Sequence, residues 1–254
     1  KKYEFRNYKK HNLNSKNQDN TLNKYTKELR EKGFCIIKDF ISINDCQTYK
    51  KIINDFIINS NKLVWKDSND SDNRIYGAEN ISEKFKNLPL NEFTKNIGSA
   101  FLNQRLKLFM IMANKLIFKD NNLGSGGGWH KDSNAKQFKS ILYLSDVYEE
   151  NGPLQIIKNL NSNIFNLNMF LKLKKKFPVY RYSNDDVIKL IKQKDLIEFK
   201  EKAGTLILFN TSLLHRGMPI KKGTRYALTN YFYPEERIDE NENKFEKRIK
   251  KKLY

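Results

Sequence analysis

Gly124-Ser125-Gly126-Gly127-Gly128-Trp129-His130-Lys131-Asp132 is the stretch whose reading decides the fold. Its glycines let the backbone turn tightly, because glycine enters left-handed conformations without a Cβ penalty. The run then becomes an H-x-D element. Along an extended strand, residues i and i+2 project to one face. The His130 imidazole and the Asp132 carboxylate therefore point the same way, toward one cation. The chain has three histidines, His11, His130 and His215. His11 lies in a polar arm and is set aside. His215 stands 85 residues after His130, just past the apolar run Thr205-Leu-Ile-Leu-Phe209. In a jelly roll such distant strands meet across the barrel.

Two imidazoles and one carboxylate on one side of a metal make the facial triad of non-haem Fe(II) oxygenases, with coordination positions left open. Arg225 opens the strand-like segment Thr224-Arg-Tyr-Ala-Leu-Thr-Asn-Tyr-Phe-Tyr233, ten residues after His215. A buried arginine binds a carboxylate through two parallel N–H bonds and keeps its charge at any ordinary pH. Arg225 is thus placed to anchor a dicarboxylate cosubstrate.

Outward from this frame, the first half reads as helical and the second as short strands. Residues 1–20 form a polar arm, loose or a surface helix. Leu22, Tyr25 and Leu29 have helical spacing that stops at Gly33, a C′ position. Phe34-Cys-Ile-Ile37 reads as a buried strand. Ser42 with Asp45 forms an S-x-x-D helix start. Leu63–Arg74 reads as a polar loop, Ile81–Leu102 as one helix, and Leu106–Met112 as an apolar strand or helix. Ser140–Leu144, Leu154–Ile157, Thr205–Phe209 and Arg225–Tyr233 read as strands. Residues 161–202, rich in Lys and Asn, read as an insertion able to cover the site, and Lys174-Lys175-Lys176 within it as a solvated face. Residues 235–254 read as a charged helical tail. The fold class is α+β: a double-stranded β-helix (jelly-roll, cupin-like) core with N-terminal flanking helices, in one domain.

Composition limits the function classes. The 254 residues carry 48 Lys plus Arg against 29 Asp plus Glu, a formal net charge of +19. Lysine dominates, with 39 Lys to 9 Arg, and Lys, Asn and Ile make up 95 residues. That skew is scattered, whereas a phosphate-backbone binder concentrates its basic residues and uses more Arg. A nucleic-acid partner is therefore disfavoured, and the charge mildly favours an anionic substrate. No apolar run is long enough to span a membrane. The opening residues carry no apolar signal segment. Cys35 and Cys46, the only cysteines, read as buried free thiols, which fits a cytoplasmic protein.

The sequence resembles the phytanoyl-CoA dioxygenase-like branch of the Fe(II)/2-oxoglutarate-dependent oxygenases over roughly residues 22–234. The matching pieces are Glu31-Lys-Gly-Phe-Cys-Ile-Ile-Lys-Asp-Phe-Ile-Ser42, Trp129-His-Lys-Asp132, Tyr143-Leu-Ser-Asp146, Glu150-Asn-Gly-Pro-Leu154 and His215-Arg-Gly217 with Arg225. The Thr-Arg-Tyr-Ala-Leu-Thr229 strand also resembles the prolyl-hydroxylase branch. The resemblance implies Fe(II) on His130, Asp132 and His215, and 2-oxoglutarate with its far carboxylate on Arg225, assisted by the Tyr143 hydroxyl. It implies consumption of O2, release of succinate and CO2, and oxidation of a C–H bond. Halogenating relatives have Gly or Ala where Asp132 stands, so its presence favours hydroxylation. Nucleic-acid demethylases carry a second Arg where Tyr231 stands. The expected activity is hydroxylation of a small-molecule or carrier-, sugar- or lipid-linked metabolite. A peptidyl hydroxylase and a non-catalytic jelly-roll module stay open beside it. Trp129 reads as barrel packing, Gln137 and Lys139 as exposed strand residues, and Arg216 as facing either an anionic substrate or solvent.

Overall fold

A computed structural model describes residues 15–88, 90–158, 171–175, 179–190 and 195–238. The helical start is α1 (Ser15–Lys32), followed by β1 (Phe34–Ile37). Gly33 closes α1 in the left-handed region at φ 81°, its amide donating to the Leu29 carbonyl at 2.9 Å. α2 (Ile43–Asn59) is capped as expected, the Ser42 hydroxyl accepting from the Asp45 amide at 3.1 Å. The segment expected as one helix is divided into α3 (Glu83–Lys86) and α4 (Leu90–Leu102). Pro89 stands between them in sequence and has no amide hydrogen to give a continuous helix.

Among the described residues, twelve strands follow the order β1, β2 (Trp65–Lys66), β3 (Asp72–Tyr76), β4 (Leu106–Ile117), β5 (Trp129–His130), β6 (Phe138–Tyr143), β7 (Leu154–Ile157), β8 (Arg181–Tyr182), β9 (Leu196–Phe199), β10 (Leu206–Asn210), β11 (His215–Gly217) and β12 (Thr224–Pro234). They form a seven-stranded sheet, β1-β10-β6-β12-β4-β3-β2, and a five-stranded sheet, β8-β5-β11-β7-β9, all antiparallel. This is the double-stranded β-helix with flanking helices.

Two expectations change. Leu63–Arg74 is not a loop alone: β2 and β3 pair as a hairpin and add an edge to the large sheet. Residues 161–202 are not wholly an insertion, because β8 pairs with β5 and β9 with β7, finishing both edges of the small sheet. Lys175 reaches across to Asp186 rather than standing free. Within that segment, residues 161–170, 176–178 and 191–194 lie outside the described residues, as do residues 1–14 with His11 and the tail from 239.

Strand alternation separates a helix-facing core from a site-facing interior. Leu142, Leu206, Leu208 and Leu228 pack outward against Leu29, Cys46, Ile53 and Ile97 of the helices. Tyr143, Ile207, Phe209 and Ala227 point inward with Leu154 and Ile156 of the small sheet. A period of two leaves no other choice once one face is covered by helices. Cys35 and Cys46 are buried free thiols. Burial raises both, Cys46 to about 11, so neither is a ready thiolate.

Candidate active site

Pairing brings the two distant histidines together. His130 of β5 lies directly opposite His215 of β11 in the antiparallel register. Their ring centroids are 4.3 Å apart. Asp132 lies two residues past the end of β5, its amide held by the Thr211 carbonyl at 3.1 Å. Its Oδ1 is 3.8 Å from His130 Nε2 and its Oδ2 is 3.7 Å from His215 Nε2. Potential ligand atoms of the three residues lie within 4.8 Å of one another.

The ring orientations fit a metal. Nδ1 of His130 faces the Gly128 carbonyl and Nδ1 of His215 faces the Leu213 carbonyl, each at 2.8 Å. A carbonyl only accepts, so each Nδ1 carries the proton and each Nε2 keeps its lone pair, which is how a carbonyl orients a ligating histidine toward an ion. Burial, then the neighbouring His215, lowers His130 to about 3. Burial also lowers His215. Both rings are therefore neutral donors at pH 7. Burial alone would raise the Asp132 carboxyl, but Lys139 and the two imidazoles overcome it and hold it below the ordinary range. Gly126, at φ 92°, leaves room for the His130 ring, which a Cβ at that position would overlap.

Arg225 enters from the large sheet. It is 4 % exposed, and burial depresses its pKa. One Nη1 donates to the Gly152 carbonyl, while Nε is buried without a partner. Among the described residues no carboxylate pairs with it. The Tyr143 hydroxyl accepts from the Leu154 amide at 2.9 Å. An orphaned buried guanidinium donor in a cavity fits an absent anion. That cavity, of about 590 Å³, is lined by the triad, Arg225, Tyr143 and both sheets. Inward positions two apart supply its wall: Lys139, Ile141 and Tyr143 from β6, and Arg225, Ala227, Thr229, Tyr231 and Tyr233 from β12.

Several side chains fall differently from the sequence expectation. Lys139 is 8 % exposed rather than solvent-facing, with Nζ 2.7 Å from Asp132 Oδ2. Gln137 also lines the cavity, its Oε1 accepting from the Thr211 hydroxyl at 3.3 Å. The signal was present, since Lys139 shares the period-two face of Tyr143. Arg216 is half-buried and does not line the cavity. Its guanidinium bonds Gln155 and Asn184 and lies 4.4 Å from the Trp129 ring centroid. Trp129 is itself packed in a buried cluster, as expected. Trp65, Arg74 and Tyr76, brought by the unforeseen hairpin, complete the cavity wall, and Arg74 is paired with Asp72.

Comparison with known proteins agrees with this geometry. No curated protein matches the chain. Among solved structures, the epimerase SnoN, in complex with Fe3+, alpha ketoglutarate and nogalamycin RO, has a TM-score of 0.63 at 12 % identity, covering 85 % of this chain and 84 % of its own. HygX from Streptomyces hygroscopicus, with nickel, 2-oxoglutarate and hygromycin B bound, has a TM-score of 0.60 at 16 % identity over 84 % and 87 %. A prolyl hydroxylase from Trichoplax adhaerens, in complex with a peptide fragment, has a TM-score of 0.59 at 17 % identity over 91 % and 96 %. At these identities the likeness is one of fold. The model of the family described as phytanoyl-CoA dioxygenase matches residues 29–224, most of the chain and all the residues of the triad. The chain belongs to the phytanoyl-CoA dioxygenase family, within the Fe(II)- and 2-oxoglutarate-dependent oxygenases.

Proposed function

We infer that this enzyme hydroxylates a small, anionic metabolite, with Fe(II) on His130, Asp132 and His215 and the distal carboxylate of 2-oxoglutarate on Arg225. The observation that carries the reading is the pairing of His130 with His215, which sets two bare Nε2 atoms against one carboxylate. Iron(II) and 2-oxoglutarate together supply the oxidising chemistry, with O2 consumed and succinate and CO2 released. The protein residues bind, orient and enclose. The Nδ1–H···O=C bonds fix each imidazole with Nε2 toward the ion. Arg225 offers its unpartnered Nε–H to the cosubstrate carboxylate, and Tyr143, whose oxygen already accepts from Leu154, keeps its own proton to donate there.

The cavity volume is in the range of small-ligand sites, roughly 300–1,000 Å³. Its lining holds five cationic side chains, Arg74, Lys131, Lys139, Arg181 and Arg225, against the single carboxylate of Asp132. Asp72 stands behind Arg74. A divalent ion and a dicarboxylate cancel one another, so the cavity keeps a positive excess, which supports an anionic prime substrate. Buried reduced thiols accord with a cytoplasmic setting.

The test is succinate formation from 2-oxoglutarate with Fe(II) and ascorbate, read for the wild type and His130→Ala. Turnover by the wild type and none by the variant is expected. Equal zero rates, with neither protein binding metal, would sink the assignment.

A further inference from the structure

Lys139 lies against a residue of the triad, and the metal-site reading does not require it there. It sits within β6, opposite Tyr231 of β12 in register. Its ammonium lies 4.0 Å from the Tyr231 ring centroid and 2.7 Å from Asp132 Oδ2. Lysine is almost never this buried unless paired. Here its partner is a carboxylate already faced by two imidazoles. Oδ1 is on the His130 side and Oδ2 on the His215 side.

A carboxylate so placed has a competing claim on it. An ion held between the two Nε2 atoms and Asp132 would stand close to the Lys139 ammonium. Like charges at such range, with low-dielectric walls around them, repel strongly. In the absence of an ion the balance reverses, because a buried carboxylate without a counter-charge is costly. Removing either cation therefore makes the other bind Asp132 more favourably.

We propose that Lys139 is the internal counter-cation of Asp132: it holds the carboxylate in place before the metal arrives and, by sharing that carboxylate, weakens metal binding so that the ion exchanges. The proposal rests on the triad being the metal site. Lys139 is thus a positioning residue, and its charge is coupled negatively to the metal.

The experiment is titration of the wild type, Lys139→Met and Lys139→Arg with Mn(II), anaerobically, with thermal melts at zero and saturating Mn(II). Lys139→Met is expected to bind Mn(II) about tenfold tighter or more, and Lys139→Arg, which keeps the charge, to bind as the wild type does. The melting temperature of Lys139→Met should fall without metal and gain more from Mn(II) than the wild type does. A purely structural lysine would not produce tighter binding. If Lys139→Met does not fold alone, it is refolded with Mn(II) present, and Lys139→Gln is titrated beside it. Equal or weaker Mn(II) binding by the neutral variants overturns the proposal, as does failure to refold with metal combined with no gain in Lys139→Gln. Wild-type protein that binds no Mn(II), and is indistinguishable from His130→Ala, overturns the metal-site reading instead.

Discussion

Replacing Arg225 by Met separates the cosubstrate anchor from the rest of the site. The guanidinium is 4 % exposed, has one carbonyl partner and leaves Nε orphaned. If a carboxylate fills that gap, the fork supplies two charge-assisted hydrogen bonds. At about 1.5 kcal/mol each as a lower figure, their loss costs roughly 3 kcal/mol, or about a hundredfold in 2-oxoglutarate affinity. The empty protein responds differently. Met fills similar space and removes a desolvated charge, while the Gly152 carbonyl loses a donor. Each effect is on the order of 1–3 kcal/mol and they oppose one another. Arg225→Met should therefore unfold in urea within about 1 kcal/mol of the wild type. Calorimetry under anaerobic conditions with Mn(II) measures metal and 2-oxoglutarate binding in one series. Metal affinity should stand and cosubstrate affinity should fall. Unchanged 2-oxoglutarate binding would refute the anchor, and lost Mn(II) binding would place Arg225 in the metal site. A loss of more than about 3 kcal/mol of stability would make its role structural.

Other residues give separate expectations. Asp132→Ala leaves the Lys139 ammonium buried without its carboxylate, and a broken buried pair costs about 3–5 kcal/mol. The double variant with Lys139→Met should recover most of that loss in urea unfolding. Gly126→Ala places a methyl group against the His130 ring at a left-handed backbone position. It should lower stability by about 1–2 kcal/mol and weaken Co(II) binding, read from the visible absorption of the loaded protein. His130 is neutral in the folded chain down to about pH 3, whereas in the unfolded chain it takes up a proton near pH 6.5. The unfolded state thus gains protons first as pH falls, and metal-free stability should drop by about 2 kcal/mol from pH 7 to pH 5 on this account. His130→Ala should lack that part of the slope.

Much of the frame was legible because its signals are local. The Gly33 stop, the Ser42 cap and the short apolar runs at 140–144 and 205–209 each reflect a preference written within a few residues. The H-x-D element fixes its own geometry, since Asp132 follows His130 at strand spacing. The hairpin of β2 and β3 was hidden because its strands are short and polar, and it exists through pairing with β4. Residues 181–182 and 196–199 looked like part of an insertion because they are short and stand in Lys-rich surroundings. Their strand character comes from the edges of β5 and β7 that they complete.

By itself, the sequence determined which residues this protein has for chemistry: two usable histidines, one carboxylate at the right spacing and an arginine beyond them. Only the tertiary structure decided that His130 faces His215 across paired strands and that Lys139 lies against Asp132 instead of in water. The reason is that strand alternation states that residues share a face, but which face becomes interior is settled by the helices covering the other one. Ion pairing between strands distant in sequence depends on register, and register is a property of the folded sheet.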